Sequence, residues 1–284
     1  MARLLKGAPA AAALTERTAA RSAALAERGI VPTFAVVRVG ERSDDLAYER
    51  AAEKRCAAAG VAVRKVVLPV SCDQAELNAA LEELGAQDEV HGILLFRPLP
   101  VHLDEGAAAT CIPAEKDVDC AGPLGLLATL SGRGAGFAPC TAEAVLALLD
   151  HYEVPLDGAN VTVIGRSLVI GRPVAALLLA RNATVTTCHT HTRDLAAACS
   201  GADVIVAAAG APGTVGAACV HPGQVLVDVG TTWDAAAGRL RGDVDAEAVA
   251  PVVSALSPVP GGVGSLTTAI LVSHVVTAAE RMCA

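Results

Sequence analysis

The chain has 284 residues, long enough for two domains of ordinary size, or one large one, with a substantial buried core. Hydrophobic residues make up 53% and charged residues 18%, a balance that fits a packed globular protein and argues against long disordered tails. A net charge of -8 with only 2% aromatic residues argues against nucleic acid, which asks for basic patches and stacking platforms.

The nine cysteines, from Cys56 to Cys283, are scattered, odd in number and without metal-ligand spacing. They read as small buried hydrophobes of a reducing compartment, so a cytoplasmic location is expected. The longest charge-free run, Val204 to Val227, is broken by Gly210, Pro212, Gly213, Gly216, Pro222 and Gly223. A spanning helix needs about 20 unbroken apolar residues, so no membrane partner is expected.

In chain order, Met1 to Gly29 reads as a first helix; its arginines and serine resemble a transit peptide, but Glu16 and Glu27 fall within the helical pattern. Thr33 to Gly40, "TFAVVRVG", is a buried strand ending in glycine, and the helix after it stops at Gly60. "VAVRKVVLP" follows as a strand, "CDQAELNAALEELGA" as a helix and "VHGILLF" as a buried strand before "RPLP". Glu115 to Cys140 is rich in Gly, Pro and Ala with little periodicity and is expected to hold the passage between domains. A second alternation follows, from the helix "TAEAVLALLDHY" through the strand "NVTVIG" to the strands "DVIVAAAG" and "QVLVDVG". Alternating strands and helices imply an α/β fold with parallel sheets, the second in the order of a doubly wound, Rossmann-like nucleotide domain. "SLTTAILVSHVVTAAERMCA" is a long final helix, placed to return to the first domain.

The strand "VTVIG" runs into "GRSLVIG", which puts Gly165 and Gly171 at a strand-to-helix turn. Free N–H groups and a helix dipole at such a turn favour a pyrophosphate, although G-x-S-x-x-x-G meets the dinucleotide fingerprint only in part. An NAD site places an acid about 20 residues past the first glycine. Here that position reads "CHTHTR", with His189, Thr190, His191 and Arg193. With Arg166 in the turn, this environment suits the 2′-phosphate of NADP, which a carboxylate would repel. His189 and His191 have no third ligand nearby, so no metal is expected.

Six segments in a fixed order carry a further signal: "KDVD" (116–119), "PCT" (139–141), "GRSLVIGRP" (165–173), "ATVTTCHTHT" (183–192), "VDVG" (227–230) and "PVPGGVGSLT" (258–267). On these the chain resembles the methylenetetrahydrofolate dehydrogenase/cyclohydrolase family over nearly its whole length. The resemblance implies a catalytic domain of residues 1–138 plus 268–284, an NADP-binding domain of residues 139–267, a folate cleft between them, and a homodimer. It assigns Tyr48 to the pterin wall and Asp119 to hydrogen bonding with the pterin, the two catalytic-site residues. Pro260, Gly261 and Gly262 would line the cleft, and Thr141, Gly165, Arg166, Ser167, Gly171, His189, Thr190 and Thr267 would hold the cofactor.

The chain departs from the family in the same cleft. The family pattern Y-x-x-x-K puts a lysine four residues after the tyrosine, on the same helical face at an offset of about 40°. That position is Ala52; Lys54, at an offset of about 240°, points elsewhere. The family's glutamine in "VQLPLP" becomes Phe96, followed by Arg97. Cys120 stands for a glycine and Ser265 for a proline. The lysine is the family's group for hydrolysing the methenyl compound, so the resemblance implies a dehydrogenase with its cyclohydrolase lost or impaired. An NADP-dependent C=N oxidoreductase acting on a non-folate metabolite, and a noncatalytic folate or NADP binder, stand as alternatives.

Overall fold

The computed structural model describes residues 2–235 and 238–283. Its contacts divide the chain into two units, one of residues 12–140 and 268–283, the other of residues 2–11 and 141–267. The chain opens with a two-residue strand, β1 (Arg3–Leu4), and a long helix, α1 (Gly7–Glu27).

The first unit continues as β2 (Thr33–Val39), α2 (Ser43–Ala59), β3 (Ala62–Leu68), α3 (Gln74–Ala86), β4 (Gly92–Leu95), α4 (Glu105–Thr110) and α5 (Pro123–Ser131). Its sheet is parallel in the order β3-β2-β4, with Phe34 in register with Val63 and Gly92. Alternation along the central strands turns Ala35, Val37 and Val39 toward Leu77 and Leu81 of α3, which are fully buried with them. α2 ends where the sequence signals it: Gly60 has φ 70°, and the Val61 N–H donates to the Cys56 carbonyl at 2.9 Å. α3 begins in a capping box between Asp73 and Glu76.

The second unit contains α6 (Cys140–His151), β5 (Asn160–Ile164), α7 (Gly171–Leu179), β6 (Thr184–Cys188), α8 (Leu195–Cys199), β7 (Val204–Ala207), β8 (Val225–Asp228), the antiparallel hairpin β9 (Thr232–Asp234) and β10 (Arg239–Arg241), α9 (Ala246–Val249) and β11 (Ala255–Leu256). Its six-stranded sheet runs β1-β11-β8-β7-β5-β6, all parallel. The chain passes from β5 to β6 on one side and then from β6 back across to β7 on the other side of β5, so the topological switch point lies at the carboxyl end of β5, where Gly165 follows.

The last helix, α10 (Thr267–Met282), is grouped with the first unit, as its sequence led us to expect. Gly92 of β4 shows why the fit is close: a Cβ there would come within 2.8 Å of Val275 on α10 and of Val118. Arg21 of α1 pairs with Glu280 of α10 through two bonds of 2.9 and 2.5 Å.

Two expectations differ from the structure, and three short strands were not foreseen. The start of the chain is not helical throughout and does not belong wholly to the first domain: Arg3 and Leu4 pair with Ala255 and Leu256 as an edge strand of the second sheet. The supposedly aperiodic stretch 115–140 contains α5, with proline at the first helical position and Gly132 in the left-handed region at its end. The hairpin and β11 carried no pattern long enough to mark them.

Candidate functional site

In the second unit the turn after β5 is built by backbone. Gly165 has φ 137°, and a Cβ there would overlap the Ala208 carbonyl. A Cβ on Gly171 would overlap the backbone of Gly165 and Arg166. Both glycines are therefore required where the strand passes into α7. The Ser167 hydroxyl accepts from the N–H groups of Ile170 at 3.1 Å and Gly171 at 3.4 Å, organising the helix entrance.

A cavity of about 420 Å³ opens over this turn, and Gly165, Arg166, Ser167, His189 and Thr190 are among its walls. Arg166 is exposed, and His191 and Arg193 stand exposed beyond the rim. The His189 Nδ1 accepts from the His191 N–H at 3.1 Å, and the two rings lie 6.0 Å apart. A close backbone turn, a helix N-terminus and an arginine fit a dinucleotide phosphate, and no carboxylate projects from the strand end to oppose a second one. Thr141 and Thr267 lie outside this lining; they open α6 and α10, and the Thr267 hydroxyl donates to the Gly264 carbonyl at 3.2 Å.

Pro260, Gly261 and Gly262 line another cavity of this unit, about 270 Å³, together with Asp228, Val229, Gly230 and Thr231. Ser265 ends a short 3₁₀ turn there and donates its N–H to the Gly262 carbonyl at 3.0 Å, a bond that proline could not make. Asp228 accepts three backbone N–H groups, from Gly230, Asp243 and Val244. Burial nevertheless pushes its carboxyl up to about 6, opposed by those bonds and reinforced by the neighbouring Asp243.

In the first unit, Tyr48 and Ala52 lie one turn apart on α2. Tyr48 is half-buried and Ala52 is 1% exposed. Phe96, just past β4, meets the Tyr48 ring edge to face with centroids 5.8 Å apart. The position four residues after Tyr48, where the resemblance expects a lysine, is thus a buried methyl group. Lys54 is exposed, as its helical offset requires. The basic groups held against α2 are engaged by acids: Arg38 binds Glu49 at 3.1 Å, and Lys65 binds Glu49 at 2.9 Å and Glu53 at 2.5 Å. The bonds to Glu53 and Glu49 hold Lys65 above its ordinary pKa, so it stays protonated.

Asp119 follows "KDV", whose members are structural. The Lys116 ammonium donates to the carbonyls of Gly85 and Gln87 at 2.8 and 2.7 Å, and Asp117 accepts from the N–H groups of Ala121 and Gly122. Asp119 stands 4.0 Å from Arg97, each with 30% of its side chain open. Burial raises the Asp119 carboxyl, while a hydrogen bond from the Cys140 thiol and the Arg97 charge lower it. Cys120 has φ 57°, in the left-handed region where the family's glycine is at home.

The structure therefore brings Tyr48, Ala52 and Phe96 together and Arg97 to Asp119 in one unit, and the glycine turn, Arg166, Ser167, His189 and Thr190 together in the other. Reasoning from sequence missed Thr192, Leu195, Thr214 and the 208–211 segment as walls of the larger cavity. It quoted "VDVG" without seeing that Asp228 organises backbone fifteen residues away. Among the described residues no cluster of three or more His, Cys, Asp or Glu could hold a metal, and no helix is long and apolar enough to cross a membrane.

Comparison with known proteins finds two family domains along the chain. Residues 5–119 match the catalytic domain of tetrahydrofolate dehydrogenase/cyclohydrolase, and residues 139–283 match its NAD(P)-binding domain. The chain is 45% identical to the bifunctional protein FolD of Carboxydothermus hydrogenoformans over 281 residues, 99% of this chain and 98% of that one. It is 45% identical to the bifunctional protein FolD of Clostridioides difficile, over 98% of this chain and 96% of that one. Among solved structures, the bifunctional FolD of Campylobacter jejuni superposes with a TM-score of 0.94 at 36% identity, covering 99% of both chains. The Trypanosoma brucei enzyme, complexed with NADP cofactor and an inhibitor, superposes with a TM-score of 0.89 at 34% identity, covering 99% of this chain and 98% of that one. With both family domains matched in order across almost all of its length, the chain belongs to the tetrahydrofolate dehydrogenase/cyclohydrolase family of enzymes.

Proposed function

We propose that the chain is an NADP-dependent methylenetetrahydrofolate dehydrogenase whose cyclohydrolase step is lost or impaired. The observation that carries this reading is Ala52, a buried methyl group beside the Tyr48–Phe96 pair, with Arg38 and Lys65 both bound by Glu49. Hydrolysis needs a group that positions and deprotonates water; alanine and phenylalanine supply none. Arg97 is a poor base because a guanidinium keeps its proton.

Dehydrogenation asks for less from the side chains. Bound NADP+ would supply the hydride acceptor that oxidises the methylene carbon between N5 and N10 to the methenyl cation. Tyr48 offers an aromatic wall to the pterin, and the Asp119 carboxylate accepts its N–H groups once Arg97 shares or yields that oxygen. Gly165 and Gly171 let the backbone approach the pyrophosphate, and Arg166 and His189 favour the 2′-phosphate over a bare ribose.

The test is a pair of assays on the purified chain: absorbance of NADPH formed from methylenetetrahydrofolate and NADP+, and separate hydrolysis of methenyltetrahydrofolate. Reduction without enzyme-catalysed hydrolysis is expected. Hydrolysis at a rate comparable with reduction would overturn the loss. NADP+ binding with no folate-dependent reduction would favour a C=N oxidoreductase for another metabolite, a reading that the Arg97–Asp119 pair supports because it neutralises the carboxylate that a pterin would use.

A further inference from the structure

Two aspartates of the second unit have no part in the reading above. Asp243 is 0% exposed and Asp228 4% exposed, and they are packed against each other's glycines. A Cβ on Gly242, the residue before Asp243, would overlap the Asp228 carboxylate; a Cβ on Gly230, two residues after Asp228, would overlap the Asp243 carboxylate. Each acid thus lies in space that the other's neighbouring glycine leaves open.

The hydrogen bonds run one way through this pair. The Asp228 Oδ1 accepts from the N–H of Asp243 at 2.9 Å and of Gly230 at 3.0 Å, and its Oδ2 accepts from Val244 at 3.1 Å. The Asp243 Oδ2 then accepts from the N–H groups of Ala209 at 2.6 Å and Gly210 at 2.9 Å. The segment it holds is the wall that faces the glycine turn: Ala208 bonds back to the Ile164 carbonyl at 2.7 Å, and its own carbonyl is what forbids a side chain at Gly165. Ala208, Ala209 and Ala211 all line the 420 Å³ cavity, while Asp228 and Gly230 line the 270 Å³ one. The pair therefore ties the walls of both cavities to one buried point.

A purely structural acid would be expected to satisfy both of its oxygens. The Asp243 Oδ1 is buried with no hydrogen-bond partner, an arrangement that costs about 1–3 kcal/mol. We infer that Asp243, braced by Asp228, is a positioning residue for the dinucleotide: its carboxylate fixes the 208–211 backbone at the distance from the Gly165 turn that the cofactor needs. The inference rests on the NAD(P)-binding assignment of this domain and requires no folate chemistry.

The test uses the full-length protein and NADP+ itself, by calorimetric titration and by hydrogen exchange. In the wild-type chain, NADP+ is expected to slow amide exchange in the 208–211 segment. Asp243→Ala is expected to weaken the NADP+ dissociation constant about 10- to 30-fold with full stoichiometry, and Asp243→Asn, which keeps one acceptor oxygen, about 3-fold. An unchanged dissociation constant with reduced stoichiometry or melting temperature means that the pair only supports the fold, and overturns the inference. Unchanged exchange at 208–211 on NADP+ binding overturns it too, and that readout with Asp243→Asn decides the matter should Asp243→Ala not fold. A wild-type chain that binds neither NADP+ nor NAD+ would instead refute the dinucleotide assignment, and the inference with it.

Discussion

The glycine turn after β5 and the Tyr48 face of α2 are built by different means. At the turn, Gly165 and Gly171 are pinned because any Cβ would overlap backbone, and Gly165 also has a φ that L side chains rarely adopt. On α2, Ala52 occupies an ordinary helical position in an unbroken helix. Exchange of lysine for alanine there disturbs no backbone, since both are good helix formers. A site written in backbone cannot drift without unfolding its surroundings, whereas a site written in one long side chain can lose that group while the fold persists.

Gly165→Ala should have the largest effect, weakening NADP+ binding by at least about 100-fold or unfolding the second unit; titration alongside a thermal melt checks it. If the variant binds normally, the turn is not backbone-determined. Next in size is the reverse experiment on α2. The triple change A52K, F96Q and R97L should raise methenyltetrahydrofolate hydrolysis by about 100-fold, the lower end of what a general acid–base group contributes. No gain in the hydrolysis assay would mean that more than these three side chains separates the chain from its bifunctional relatives.

The smallest effect concerns Asp228. Its carboxyl is held at about 6, above the ordinary aspartate value of 3.8, so the folded state binds the extra proton between those values and stability rises as pH falls through that window. Wild-type protein should gain about 2 kcal/mol from this group between pH 7 and pH 4.5. In Asp228→Asn that gain disappears, so the variant's deficit should be larger at pH 4.5 than at pH 7 in urea unfolding. An equal deficit at both values would show that Asp228 titrates normally.

Much of this was legible beforehand. Strand and helix alternation gave both parallel sheets, because β-branched runs and glycine stops are local signals, and the count from Tyr48 to Ala52 and Lys54 is plain helix geometry. What stayed hidden was either too short or too distant. β1 is two exposed residues whose strand character comes only from Ala255 and Leu256, some 250 residues on. α5 escaped notice because Leu124, Leu127 and Leu130 are exposed, so its leucines do not mark a buried face. The work of Asp228 was hidden because the N–H groups it holds at 243 and 244 follow a hairpin with no readable pattern. Cys120 illustrates the opposite case: a departure noticed in sequence turns out to hold a left-handed backbone without glycine, at a cost of about 1 kcal/mol.

The close seat of Val275 against Gly92 has a consequence for how the protein is made. Residues 141–267, with residues 2–11, complete the second unit before α10 is synthesised, so that unit can close while the chain is still being translated. The first unit has its sheet earlier still, but of the two side chains closed against Gly92, Val118 and Val275, the second arrives only with α10. The unit whose sheet is made first is therefore completed after the one whose sheet is made second.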